Sequence, residues 1–253
     1  MPRSFLRILL LLMLCGSAAR VAHSDAKHAP LRQAELLALV AGRALPENVV
    51  QHIRADGLAF HPDDSYKALL KNAGADPTVL KALDSAKVII VDGREDRADN
   101  ALLTHISNAG SLITTKNYDD AAKELTDAMT DSFQGPECGF VMGQILRDKQ
   151  DSGRAEVVYE AVVSQDSEFP EAHTKLSYIL YRTEDYDAAL QEANTALTAT
   201  PDNAEAHKNA GLALEELGKA DAAIAEYRAS LRLKPDYAAA IADLGIVYMH
   251  RGA

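Results

Sequence analysis

The sequence predicts an all-α fold, in which a small module of four short helices precedes a solenoid of 34-residue helix–turn–helix units. Three observations predict it. From Leu102 onward, small and large apolar residues recur every 34 positions without a gap. Ahead of that array, apolar residues fall at helical spacing, and Pro, Asp or Gly bounds each short segment. Between the two parts, DGREDRADN at 92–100 holds no apolar residue larger than Ala, which marks 92–101 as a charged linker.

Residues 1–19 read as a signal peptide. Arg3 and Arg7 form a positive start, 8–14 are all apolar, and Gly16, Ser17, Ala18 and Ala19 supply small residues for cleavage. The apolar run falls short of the roughly 18 residues that suggest a membrane span. A lipid-modified Cys15 is disfavoured, because Leu14 stands where such sites carry a small residue. Removing Cys15 with the leader leaves Cys138 alone, so the exported chain has no internal disulfide and must hold its fold by packing.

Residues 20–30 are small and polar and read as a linker. The module spans 31–91. LRQAELLALVAG sets Leu31, Ala34, Leu37 or Ala38, and Ala41 on one stripe and stops at Gly42. PENVVQHIRADG opens with Pro46 in a first turn and closes at Gly57. DDSYKALLKNAG carries Tyr66, Leu69 and Leu70 on its apolar stripe, with Asp63 and Asp64 suited to cap its start. DPTVLKALDSAK begins with Asp76 as a cap and Pro77 at the first helical position. KVIIV at 87–91 fits either a continued helix or an extended chain.

The array has units starting at Leu102, Pro136, Pro170 and Ala204, with a partial fifth from Ala238. The eighth residue of each unit is small (Ala109, Gly143, Ser177, Gly211, Gly245). The eleventh is large and apolar (Leu112, Leu146, Leu180, Leu214, Tyr248). The twentieth is always Ala (Ala121, Ala155, Ala189, Ala223). Small residues at positions eight and twenty let the two helices of a unit cross closely, while the large ones fill the grooves beside them. The segments NAGLALEELGKADAAIAEYRASLRLKP and DLGIVY carry a pattern that resembles the tetratricopeptide repeat family. The resemblance covers 102–253 and implies a right-handed α-solenoid. It departs from the family at the fourth position, usually aromatic, where this chain has His105, Gly139, His173, His207 and Ile241. Those histidines read as seam packing. Zinc needs nitrogens about 2 Å from the ion, whereas packed helix axes stand about 8–10 Å apart.

The resemblance also implies a concave face lined by the first helix of each unit, at positions two, five, nine, twelve and thirteen. These are Leu103, Ile106, Gly110 and Ile113 in the first unit, and Glu137, Phe140, Gln144, Arg147 and Asp148 in the second. The third gives Glu171, Thr174, Tyr178, Tyr181 and Arg182; the fourth gives Glu205, Lys208, Leu212, Glu215 and Glu216. Aromatic and arginine side chains are the usual hot spots of binding faces, so Phe140, Arg147, Tyr178, Tyr181, Arg182 and Lys208 are the expected groove residues. Lys208 with Asn209 is similar to part of a carboxylate clamp, but Ala242 and Ile246 stand where its further cations would be needed.

The chain carries a net charge of −11, which disfavours nucleic acid and anionic membrane as partners. No phosphate loop, C-x-x-C, H-E-x-x-H or G-x-S-x-G occurs, so neither enzyme nor cofactor is expected. The expected function is a protein-interaction scaffold of the bacterial envelope, exported to the periplasm, that binds a peptide or protein segment in the groove. The alternative is a self-assembling subunit. Its last helix seats Ile241, Leu244, Gly245 and Tyr248 in the seam and leaves Ile246, Val247 and Met249 as an association face for a homo-oligomer. A truncated array and a partner-binding end explain that apolar helix equally well.

Overall fold

The computed structural model of the chain describes residues 29–130, 135–250 and 252. The leader at 1–19, Cys15 and most of the 20–30 linker lie outside the described residues. Among the described residues there are thirteen helices. They are α1 (Gln33–Ala41), α2 (Pro46–Ala55), α3 (Asp64–Asn72) and α4 (Pro77–Leu83) in the module. The hairpins follow: α5 (Asn100–Thr114) with α6 (Tyr118–Thr130), α7 (Pro136–Asp148) with α8 (Ser152–Gln165), α9 (Pro170–Arg182) with α10 (Tyr186–Ala199), and α11 (Ala204–Glu216) with α12 (Ala220–Leu233). The last helix is α13 (Ala238–His250). The fold is an all-α solenoid of helical repeats. It divides into two compact units, 1–166 and 167–253.

In the first unit the module and two hairpins share a core. Asp63 accepts from the Tyr66 amide and Asp76 from the Thr78 amide, so both carboxylates start their helices as their positions require. After α4 the chain extends rather than continuing as helix, and Leu58 bridges to both Leu31 and Val88. The charged segment is bonded to the module. The Gln33 amide donates to Asp96, the Ala98 amide to the Gln33 side chain, and the Asp96 amide to the Ala59 carbonyl, at 2.8–2.9 Å. Helix α1 is buried along its length and packs on α5 and α7.

The 34-residue period recurs in the backbone as one turn repeated four times. Lys116, Gln150, Glu184 and Gly218 close the first helix of each hairpin with φ of 61°, 60°, 69° and 72°. In each case the next amide returns to the carbonyl of the unit's eleventh residue (Leu112, Leu146, Leu180 or Leu214) at 2.8–2.9 Å. This left-handed closure satisfies a carbonyl the helix would otherwise leave open. Only Gly218 adopts it without steric cost. Asp151 and Asp185 then cap the second helices of their hairpins.

Helix contact within a hairpin follows residue size. All four alanines at position twenty are fully buried. At position eight, a Cβ on Gly143 would lie 2.5 Å from the Tyr159 ring, and one on Gly211 would lie 2.6 Å from the Tyr227 ring. A buried tyrosine at position twenty-four is thus matched by a glycine at position eight of the same unit. In the third unit Ser177 faces the second helix instead and donates to the Ala189 carbonyl at 2.7 Å.

Candidate interaction face

In the first compact unit, 1–166, most inner positions are closed. Leu103, Ile106, Gly110, Ile113, Glu137, Phe140 and Gln144 are all buried. The chain's own module packs against this face, α1 on α5 and α7 and α3 on α5. A Cβ on Gly110 would press on the Ala41 methyl at 3.0 Å, and one on Gly42 would overlap the Phe140 ring. Arg32 closes one end with a 3.0 Å ion pair to Glu137, and Arg43 donates to the Ile113 carbonyl at 3.4 Å. Phe140 also stacks edge-on with Tyr159 at 6.0 Å between centroids. Phe140 therefore belongs to the core of the first unit rather than to an open groove. Full burial of a ring of that size is worth roughly 2–3 kcal/mol to folding, which the sequence pattern alone does not distinguish from ligand binding. Arg147, in the same unit, keeps a partly exposed side chain beside Asp148.

In the second compact unit Glu171, Thr174, Glu205, Lys208 and Leu212 are buried as well, but Tyr178, Tyr181, Arg182, Glu215 and Glu216 keep surface in solvent. Tyr178, Tyr181 and Tyr186 form a ladder, with centroids 6.3 Å apart for the first pair and 6.0 Å for the second. Tyr178 and Tyr181 rest on the core cluster of Leu212, Ala223, Ile224, Tyr227 and Val247 while keeping part of their surface in solvent. The buried Lys208 sets its ammonium 4.8 Å from the Tyr178 ring centroid, and the exposed Arg182 donates to the Tyr178 hydroxyl at 3.5 Å. Of the expected groove residues, Tyr178, Tyr181 and Arg182 keep surface in solvent in the second compact unit and Lys208 is buried against Tyr178, while Phe140 and Arg147 belong to the first.

Carboxylates flank the ladder. Burial raises the Tyr181 hydroxyl above its ordinary value, and the charges of Glu216, Asp243 and Glu215 raise it further. Burial also holds the Glu215 carboxyl up, with Glu216 and Asp243 adding to the rise and the Tyr227 hydrogen bond opposing it. Asp243 is raised by burial against the opposing charge of Lys208.

Beneath this surface a polar layer fixes α9 against α11. Lys175, 1% exposed, pairs with both carboxylate oxygens of Glu205 at 3.0 and 2.8 Å. Asn203 donates to the Thr174 hydroxyl at 3.1 Å and Asn209 to the Thr174 carbonyl at 2.8 Å. Such bonds join in only one register, so they align the two helices that carry the ladder.

Helix α13 differs from its expected seating. Val247 is buried in the core cluster, whereas Ile241, placed in the seam from the sequence, is 51% exposed. Ile246 and Met249 are exposed as expected. The helix is rotated so that Ala240, Asp243 and Val247 face inward beside Leu244 and Tyr248, which pack on the core as expected. The Gly245 position meets open space, in contrast to Gly143 and Gly211. Among the described residues, no helix is long and apolar enough to cross a membrane.

Three features were missed in the sequence. The left-handed closure at position fifteen has no composition signal except Gly218. The pairing of position eight with position twenty-four is visible as Gly143 with Tyr159 and Gly211 with Tyr227. The seam histidines each reach a glutamate 19 residues later: His105 to Glu124, His173 to Glu192 and His207 to Glu226.

Comparison with known proteins bears on this geometry. The family model for the tetratricopeptide repeat matches residues 140–204, 180–238 and 208–253. No curated protein matches the chain. Among solved structures, MamA residues 41 to end from Desulfovibrio magneticus RS-1 align with a TM-score of 0.54 at 21% identity, covering 61% of this chain and 87% of that one. Another crystal structure of MamA aligns with a TM-score of 0.51 at 21% identity, covering 57% and 85%. YrrB, described as a tetratricopeptide repeat protein with an unusual peptide-binding site, aligns with a TM-score of 0.50 at 16% identity, covering 79% and 91%. At these identities the likeness is one of fold. With hairpins in unbroken 34-residue phase and a family match over residues 140–253, this part of the chain belongs to the tetratricopeptide repeat family.

Proposed function

We propose that the chain is a non-enzymatic protein-interaction scaffold whose binding face is the inner surface of residues 167–253. The tyrosine ladder carries this reading. Tyr178, Tyr181 and Tyr186 stand at 6.0–6.3 Å spacing yet stay partly open to solvent. Rigid aromatic rings beside Arg182 give large contact area at small entropic cost, which is what a bound segment requires. The module packs against most inner positions of the first compact unit, which supports placing the binding face in the second. The leader-like amino terminus supports a cell-envelope location for this activity.

The test uses peptides selected from a random display library on the full chain. Tyr178→Ala with Arg182→Glu should weaken the selected peptides at least tenfold in calorimetric titration, with the helical circular dichroism spectrum unchanged. Unchanged affinity in that double variant refutes the assignment.

A further inference from the structure

The histidines of the third and fourth repeats sit between two oxygens that ordinarily only accept. His173 places Nδ1 2.5 Å from Glu192 Oε2 and Nε2 3.2 Å from the Ser167 carbonyl. His207 places Nδ1 2.6 Å from Glu226 Oε2 and Nε2 2.9 Å from the Pro201 carbonyl. A neutral imidazole has one N–H and one lone pair, so it can donate to only one of its two partners. Its lone pair would then face the other oxygen. The imidazolium donates to both. A neutral ring accepting from a protonated glutamate would hold the same extra proton. In either arrangement the cluster holds one proton more than a neutral histidine beside an ionised carboxylate.

Each cluster ties three elements. The ring stands on the first helix (α9 or α11), the carboxylate on the second (α10 or α12), and the carbonyl in the turn before the first helix. We propose that these two clusters are proton-held clasps that tighten the hairpins of the third and fourth repeats when occupied and loosen them when the proton is lost. The first repeat supplies an internal contrast. His105 meets Glu124 at 2.8 Å, and among the described residues no carbonyl completes its cluster, so a neutral ring donating from Nδ1 satisfies that site. The second repeat has Gly139 at the same position.

The charged groups facing His207 are Glu226 and, opposing it, Arg232, both on α12; the carboxylate facing His173 is Glu192 on α10. Burial pulls the His207 ring down, but the Glu226 hydrogen bond, the Pro201 carbonyl and the Glu226 charge outweigh it. The ring stays above its ordinary value. A histidine raised in the folded state stabilises fully below the unfolded value of about 6.5, and that contribution disappears as pH rises through the folded value.

The test is a histidine Cε1–H titration of the full chain by NMR, paired with thermal unfolding across the same pH range. Midpoints for His173 and His207 above about 6.5 are expected, together with a Tm that falls as pH rises through them. His173→Phe with His207→Phe restores the aromatic usual at this position and should flatten that fall. Glu192→Gln with Glu226→Gln, which keeps both rings, should bring both midpoints down to about 6.5 or lower. Midpoints already at or below that value in the unaltered chain overturn the proposal. So does a pH-dependent fall in Tm that persists undiminished in the phenylalanine variant, or, if that variant does not fold, midpoints that the glutamine variant leaves in place. The proposal is independent of the binding face, since none of these readouts involves a ligand.

Discussion

Substituting alanine for glycine at equivalent places in two successive repeats should change stability in opposite directions. Gly211 and Gly245 both occupy the eighth position of a first helix. Replacing a helical glycine by alanine contributes roughly 0.8–1 kcal/mol through backbone entropy, and both sites receive it. At Gly211 the new methyl would lie 2.6 and 2.7 Å from two carbons of the Tyr227 ring. That ring is fully buried and its hydroxyl is tied to Glu215 at 3.0 Å, so it has little room to withdraw. Overpacking of this kind costs about 1–3 kcal/mol. At Gly245 nothing stands within 4 Å, so the helix-propensity gain survives intact. Gly245→Ala should therefore exceed Gly211→Ala in stability by about 1–3 kcal/mol, or several degrees in Tm for a chain of this size. Thermal unfolding followed at 222 nm for the two single variants measures the difference. Equal shifts in the two variants would mean that the glycine–tyrosine contact does not set the helix spacing.

Two further outcomes follow from buried groups. Lys175→Met should destabilise the chain by about 3–5 kcal/mol, because it removes one member of the buried Lys175–Glu205 ion pair; urea unfolding should show most of that loss recovered in the double variant Lys175→Met with Glu205→Leu. Burial, with a smaller contribution from Glu137, pushes the Cys138 thiol up to about 12. Thiol alkylation at pH 8 should therefore track unfolding of the first unit rather than proceed at the rate of a free cysteine, as mass spectrometry in increasing urea would read.

Much of the architecture was legible because repetition amplifies weak signals. One Ala at position twenty means little, but Ala121, Ala155, Ala189 and Ala223 in phase require a close helix crossing, and all four are buried. The caps at Asp63 and Asp76 were legible because an N-cap depends only on local geometry. The candidate face was half legible. Tyr178, Tyr181 and Arg182 keep surface in solvent. Phe140 follows the same helical spacing and is nevertheless buried, because what covers it, α1, lies about a hundred residues away in sequence. A repeat pattern gives the direction of a side chain but not what packs against it. Val247 and Ile241 exchanged roles for a related reason: the rotation of α13 follows from its packing on α11 and α12, which the phase of earlier units does not determine. The histidine clasps were hidden because the sequence shows a histidine and a glutamate 19 residues apart, and only the hairpin brings them to within 2.8 Å.

The claim that residues 167–253 carry the binding face is tested most directly by photo-cross-linking. A library-selected peptide with a photoreactive residue at its centre would be bound to the full chain, irradiated, and the adducts mapped by mass spectrometry. The account predicts adducts on α9 and α11 clustered around Tyr178, Tyr181 and Lys208. Adducts confined to α10 and α12, or to residues 29–166, would contradict it.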